Sequence, residues 1–216
     1  MPRSPGSDTA GDVSDLTTKR NQATRHEIVE VAIPLFIEHG FDATSMGDIA
    51  AAAGVSRRTA YRHFDSKDDI VFEYPARWFD VLKGVLSSRG PSEATRDLIR
   101  RAHFEIARFI QADPKPVLDA FGVVMATPAL SIKHAKSDAE WIETYVGLIL
   151  ADTGAGQTDV LVAVTASRAL IGATNGLIAV WAAQQPDADL VPMTVMVMDR
   201  VDALWPESCR AAPKPT

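Results

Sequence analysis

Apolar residues along this chain recur at helical spacing and almost never in alternation. Ile28, Val31, Ala32, Leu35 and Phe36 fall at i, i+3, i+4, i+7 and i+8, which lines one side of an α-helix. The stripe predicts a first helix over residues 22–39, with Thr24 and Glu27 at capping-box separation. Pro34 removes one backbone hydrogen bond inside it. It falls on the polar side with Glu27, Glu30 and Glu38, where water can satisfy the freed carbonyl, so a bent but continuous helix is expected. Gly40 ends this helix and Phe41 anchors the turn after it.

A second pattern follows at once. Ser45 opens a helix with Asp48 three residues on, and Ile49 and the alanines at 50–53 continue it. Gly54 stops it, because glycine takes a positive φ without steric cost. Val55 packs the turn and Ser56 caps a further short helix carrying Arg57, Arg58, Thr59, Tyr61, Arg62 and His63. Helix, tight turn and basic helix over 45–64 form the helix-turn-helix layout, whose second helix enters a DNA major groove. Ser66 caps another helix, with Asp69 at capping-box distance and Lys67 in its first turn, where an ammonium and a helix N-terminus both favour a phosphate. That helix runs on through Ile70, Trp78, Phe79, Leu82 and Val85, with Pro75 breaking or bending it.

The rest reads as helices over 92–112, 116–125, 127–152, 157–185 and 190–205, punctuated by Asp113-Pro114, Thr127-Pro128 and Gly154 with Gly156. Residues 157–185 are apolar nearly all round, which predicts deep burial. No hairpin or strand alternation interrupts the series. The fold class is therefore all-α: a three-helix DNA-binding head with a helix-turn-helix, plus a helical-bundle body. The expected divisions are a disordered arm at 1–20, the head at 21–67, the body at 68–207 and a frayed tail at 208–216. Lys19, Arg20 and Arg25 lie where arm and head meet, placed to follow a minor groove or a phosphate, or to form a solvated run.

Charge sharpens the reading of the head. The 216-residue chain carries a formal net charge of -6, so a general affinity for polyanions is excluded. Between Ser56 and Lys67, however, Arg57, Arg58, Arg62 and Lys67 face the single acid Asp65. The one cysteine, Cys209, allows no disulfide within the chain, and the five histidines show no i,i+4 pair, so no metal or other cofactor is expected. No apolar leader is present at the amino terminus, and the apolar stretch at 160–183 holds Arg168 and Asn175, so the expected location is the cytoplasm, with no membrane partner.

Residues 28–70 resemble the amino-terminal domain of the TetR family of transcriptional regulators. The resemblance rests on Ala32, Leu35, Phe36, Gly40, Phe41, Thr44, Ile49, Ala50, Ala53, Gly54, Val55, Ser56, Thr59, Tyr61, His63, Phe64, Lys67 and Ile70. Ala60 departs from it, since the family usually carries a larger apolar residue there. The resemblance implies a homodimeric repressor on double-stranded operator DNA, released by a small-molecule effector. Its DNA-binding candidates are Ser45, Ser56, Arg57, Arg58, Thr59, Tyr61, Arg62, His63 and Lys67, with base and phosphate roles left unassigned among them.

The resemblance also implies that the last two helices build the dimer. The small residues Ala169, Gly172, Ala173, Gly176, Ala179 and Ala183, together with Val191, Val195, Met198 and Trp205, are the candidates. An effector cavity inside the body draws candidates from Trp78, His103, Phe104, Phe121, Met125, Trp141, Tyr145 and Asn175, with Arg168 as a further polar group. Their apolar character leans toward a lipophilic effector such as an acyl chain or an aromatic compound. Two other readings stay open: an activator, and a DNA binder without ligand control. An enzyme is not expected, because the chain shows no nucleophile–base pair, metal motif or glycine-rich phosphate loop.

Overall fold

A computed structural model describes residues 9–153, 156–205 and 209. Ten α-helices follow one another among them: α1 (Thr9–His39), α2 (Met46–Ala52), α3 (Arg57–His63), α4 (Lys67–Val71), α5 (Glu73–Ser87), α6 (Thr95–Ala112), α7 (Lys115–Ala126), α8 (Pro128–Thr153), α9 (Gln157–Gln184) and α10 (Leu190–Val201). A 3₁₀ turn over Asp202–Leu204 follows, and no strand occurs among the described residues. The fold is all-α, as the periodicity requires. Two compact units divide at Glu73 and Tyr74 rather than after Lys67, because α4 packs on α1 and belongs with the head.

In the first unit, α1 starts at Thr9, well before the expected position 22. The helical part of the expected 1–20 arm is therefore a correction, while residues 1–8 lie outside the described residues. The physical reason is that no proline falls between Pro5 and Pro34, so an established helix extends backward at one bond per residue with no new nucleation cost. The helix continues through Pro34, which is exposed on the polar side as expected. The buried stripe is Ile28, Val29, Ala32, Ile33 and Phe36, with Val31 and Leu35 only half-buried. The core therefore lies about one position around the helix from the predicted face.

Capping boxes start α2 and α4. Ser45 and Asp48 exchange bonds at one, Ser66 and Asp69 at the other. Gly40 and Gly54 take φ of +88° and +65°, the left-handed turns that end α1 and α2. Ile49 and Ala60 are fully buried. The small Ala60 lets α3 sit close on α2. Phe72 separates α4 from α5, so the break precedes Pro75. Pro75 then occupies the first turn of α5, where its missing N–H has no helical acceptor to lose.

The second unit packs α6, α8, α9 and α10 on one another, with α7 on α8. Leu98, Ile99 and Ile110 of α6, Tyr145 and Ile149 of α8, Leu170 and Trp181 of α9, and Leu190 and Met198 of α10 form its interior. Arg100 of α6 donates to Asp199 at 2.7 Å and Asp202 at 3.2 Å, tying the chain end to α6.

Three expectations for this unit need correction. The helix before Ala112 begins at Thr95, not at 92, since Ala94 takes an extended conformation ahead of it. Deep burial of α9 does not hold. By length and composition it is apolar enough to cross a membrane, yet only 33% of that apolar window is buried. Leu161 is 67% exposed and Val180 43%, so one apolar face lacks cover within the chain. Met198 and Trp205, expected at a dimer surface, are 1% and 4% exposed; α10 turns Met198 toward the helices it packs on, α6 and α9, and Trp205 is buried beyond the 3₁₀ turn that follows α10. Cys209 is buried, and the rest of the expected tail at 208–216 lies outside the described residues.

Candidate functional site

The first candidate surface is α3. Ser56 caps it, accepting from the Thr59 amide at 3.0 Å and sharing a 2.9 Å hydroxyl contact with Thr59. Only Ala60 is buried along α3, so Arg57, Arg58, Tyr61 and Arg62 are exposed. Tyr61 is 51% exposed, large for an aromatic ring with nothing structural to do there. A rigid seat and a cationic, aromatic outer face therefore coincide.

The remaining predicted DNA-binding residues are placed less simply. Arg57 lies back over α2. A Cβ added at Gly47 would come within 2.6–2.9 Å of its guanidinium, and its charge helps hold the Asp48 carboxyl below its ordinary range, after the hydrogen bonds from Ser45. Ser45 spends its hydroxyl on Asp48 Oδ2 at 2.6 Å, so it serves first as a cap. His63 accepts from Arg62 at 3.4 Å. Burial, then Arg62, then Arg25 push its pKa down, so it offers a neutral ring rather than a charge.

Lys67 and Arg25 depart from expectation. The Lys67 ammonium donates to the Phe41, Asp42 and Thr44 carbonyls and lies 4.4 Å from the Phe41 ring centroid. An ammonium has three protons, so the turn between α1 and α2 uses all of them. Lys67 is therefore reassigned from phosphate binding to holding that turn. Arg25 is not a groove-following arm residue. Its Nε donates to Glu73 at 2.8 Å, Nη1 donates to the His63 carbonyl, and its guanidinium sits 4.0 Å from the Phe64 ring. Both roles depend on residues far along the chain, which local spacing does not reveal.

The second candidate is a cavity of about 80 Å³ within the second unit. Of the predicted lining residues, Trp78, His103, Trp141 and Asn175 meet there. Phe104, Phe121, Met125 and Tyr145 do not line it. Met125 is 53% exposed, Phe104 and Phe121 are half-buried elsewhere, and Tyr145 lies behind His103. Arg168, expected as a polar group of the body, is exposed. Asp138, His134, Thr174 and Thr194 were missed. For His134 and Asp138 a spacing signal exists in the sequence, since 134, 138, 141 and 145 share one face of α8 at i, i+4, i+7 and i+11, whereas Thr174 and Thr194 on α9 and α10 have none.

His103 is fully enclosed. Nδ1 donates to the Ile99 carbonyl at 2.9 Å, which leaves Nε2 to accept from the Tyr145 hydroxyl at 3.4 Å. Burial pushes the His103 pKa down to about 4 and the Tyr145 hydroxyl well up, so both are neutral. A histidine with a depressed folded pKa lets the unfolded chain bind more protons between its ordinary value and 4. Stability is therefore expected to fall as pH drops from about 6.5 to 4, by about 3 kcal/mol in total. Thermal melts across that window should show a steeper loss for the wild type than for His103→Gln, which does not titrate. Parallel slopes would exclude His103 as the cause.

Residues 28–74 match the sequence model of the bacterial regulatory proteins of the tetR family. The chain is 31% identical over 141 residues to a Mycobacterium tuberculosis protein named for transcriptional regulation of mycofactocin biosynthesis, MftR, covering 65% of this chain and 71% of that one. It is 35% identical over 92 residues to the HTH-type transcriptional repressor KstR2 of Rhodococcus jostii, covering 41% of this chain and 45% of the relative. Among solved structures it resembles Thermus thermophilus FadR in complex with lauroyl-CoA (TM-score 0.56, 20% identity, 89% and 99% of the two chains). It also resembles a SmeT–triclosan complex (TM-score 0.63, 19% identity, 89% and 96%). MftR, KstR2 and FadR are each named as a transcriptional regulator or repressor.

Proposed function

The chain belongs to the TetR family of transcriptional regulators, and from that premise we propose that it is a cytoplasmic homodimeric repressor whose operator affinity is set by a small ligand in the second unit. The observation that carries this reading is α3: a capped, rigidly seated helix turning Arg58, Tyr61 and Arg62 outward from a chain of net negative charge. Two copies of α3 in successive major grooves lie about 34 Å apart, one helical turn of DNA, so the operator is a palindrome. Arg57, Arg58 and Arg62 supply guanine or phosphate contacts, Thr59, Tyr61 and His63 supply phosphate or methyl contacts, and Ser45 and Ser56 keep their capping roles. Repression is steric, since a protein seated on a promoter excludes polymerase.

The incompletely covered face of α9 supports the homodimer. Gly172, Gly176 and Ala183 are exposed along it beside Leu161 and Val180, with Ala169, Ala173 and Ala179 half-buried at its edge. Val195 of α10 is 38% exposed and belongs with them. Small residues let a second backbone approach closely, and an apolar face of this kind is a surface to bury. Light scattering is expected to give twice the 23.3 kDa chain mass. A Cβ at Gly176 meets nothing within 4 Å, so Gly176→Arg leaves the single chain folded and is expected to yield monomers. A wild-type monomer at micromolar concentration would refute the dimer.

The 80 Å³ cavity supports ligand control. A ligand that binds the DNA-free form more tightly lowers operator affinity by that ratio of affinities. The test is to select genomic fragments on the purified protein, identify the shared palindrome, and titrate it in gel shifts with candidate ligands. Failure to enrich any palindromic sequence would overturn the reading as a sequence-specific repressor.

A further inference from the structure

The polar groups of the cavity are unbalanced. Trp78, Trp141 and neighbouring isoleucines supply apolar wall, and against it stand Asp138, Asn175, Thr174 and Thr194. Thr174 donates its hydroxyl proton to the Leu170 carbonyl at 3.0 Å, and Thr194 donates its own to the Leu190 carbonyl at 2.8 Å. Each hydroxyl then has only lone pairs left to offer. Asn175 Nδ2 donates to Asp138 Oδ2 at 2.9 Å, which fixes the amide and leaves its oxygen as an acceptor and its second N–H as a donor. His103, with both ring nitrogens engaged, offers no free donor there. The lining holds one carboxylate, Asp138, and no lysine or arginine. The indole N–H of Trp78 is a donor buried without a hydrogen-bond partner, and the second Nδ2 proton of Asn175 is another donor not used on Asp138.

We infer that the cavity takes an apolar molecule bearing a protonated amine, with its ammonium on Asp138 and the threonine and asparagine oxygens, and an acceptor elsewhere for the Trp78 N–H. This inference rests on the reading of the cavity as the effector site. An ammonium has protons for several acceptors at once. A carboxylate ligand would instead meet Asp138 as a like charge, with no lysine or arginine in the lining to offset it. The chemistry therefore turns the lipophilic lean of the sequence toward amines and away from acids.

Phenylbutylamine, phenylbutanol and phenylbutyrate share one apolar body and differ in the charge of the head. Calorimetric titration of the full-length protein is made at about pH 8, where an alkylamine is charged. The amine is expected to bind roughly tenfold more tightly than the alcohol and roughly a hundredfold more tightly than the acid, given desolvated charge pairing. Asp138→Asn is isosteric. It is expected to keep alcohol binding, which shows the cavity intact, while the preference for the amine disappears. If the acid binds as tightly as the amine, or Asp138→Asn keeps the amine preference, the charge assignment is wrong while the cavity remains a ligand site. If none of the three binds, the effector-site reading fails and this inference with it.

Discussion

Replacing Arg58 with alanine is expected to weaken operator binding by about 2–6 kcal/mol per dimer, from about 1–3 kcal/mol at each of two half-sites. The magnitude follows from position and copy number. Arg58 is exposed on a helix whose underside is fixed by the fully buried Ala60 and whose start is fixed by the Ser56 cap. It can therefore reach DNA without unfolding anything. The same exposure predicts little effect on the fold, within about 0.5 kcal/mol, as for most surface substitutions. A gel-shift titration at fixed salt, paired with a thermal melt, separates the two. The salt dependence assigns the contact: a phosphate partner lowers the slope by about one counterion per site, whereas a guanine partner relaxes sequence preference at one operator position. An unchanged titration would remove Arg58 from the interface.

Arg25→Ala is expected to destabilise the first unit by about 3 kcal/mol, although arginine is ordinarily a surface residue. The Glu73 carboxylate that it meets is only 7% exposed, with contacts at 2.8 and 2.5 Å. Truncation removes the Arg25 guanidinium from that buried charge, and the His63 carbonyl at the end of α3 and the Phe64 ring lose it as well. The pair Lys83–Asp80, with side chains 59% and 77% exposed, makes the contrast, since breaking such a pair costs about 0–1 kcal/mol. For a domain this small, about 3 kcal/mol corresponds to a melting shift of more than about 10 °C. Arg25→Lys should recover only part of it, because an ammonium lacks the planar fork that serves Glu73 and His63 together. A shift no larger than that of Lys83→Ala would refute the buried clamp.

Both predictions concern arginines near the helix-turn-helix, and the sequence does not tell them apart. Arg58 was expected outside and is exposed. Arg25, grouped with Lys19 and Arg20 as an arm residue, is an interior tie, and Lys67 holds a turn. Local signals served well where the cause was local. Ser45 with Asp48, Ser66 with Asp69, and the positive φ of Gly40 and Gly54 involve atoms a few residues apart. Local signals failed for α1, where high polarity at 9–20 suggested an arm although nothing in the sequence stops the helix. They failed again for α9, where apolar content was taken as depth.

The cavity of the second unit was half legible for a related reason. Trp78, His103, Trp141 and Asn175 meet at the cavity and were among the expected lining residues. Asp138 was not, because a single carboxylate on a long helix looks like ordinary surface until Asn175 of another helix is seen to donate to it. Phe104, Phe121 and Met125 were chosen for bulk alone, and bulk does not say which side of a helix turns inward.

By itself, then, the sequence determined the helical fold, the helix-turn-helix and its cationic face, since these follow from periodicity, capping and glycine conformation over short spans. Only the tertiary structure decided which charges face inward, which side of α9 lacks cover, and why the cavity is rich in acceptors. Those outcomes depend on groups brought together from distant positions, and a long side chain such as that of arginine or lysine takes whichever partner the packed neighbours present.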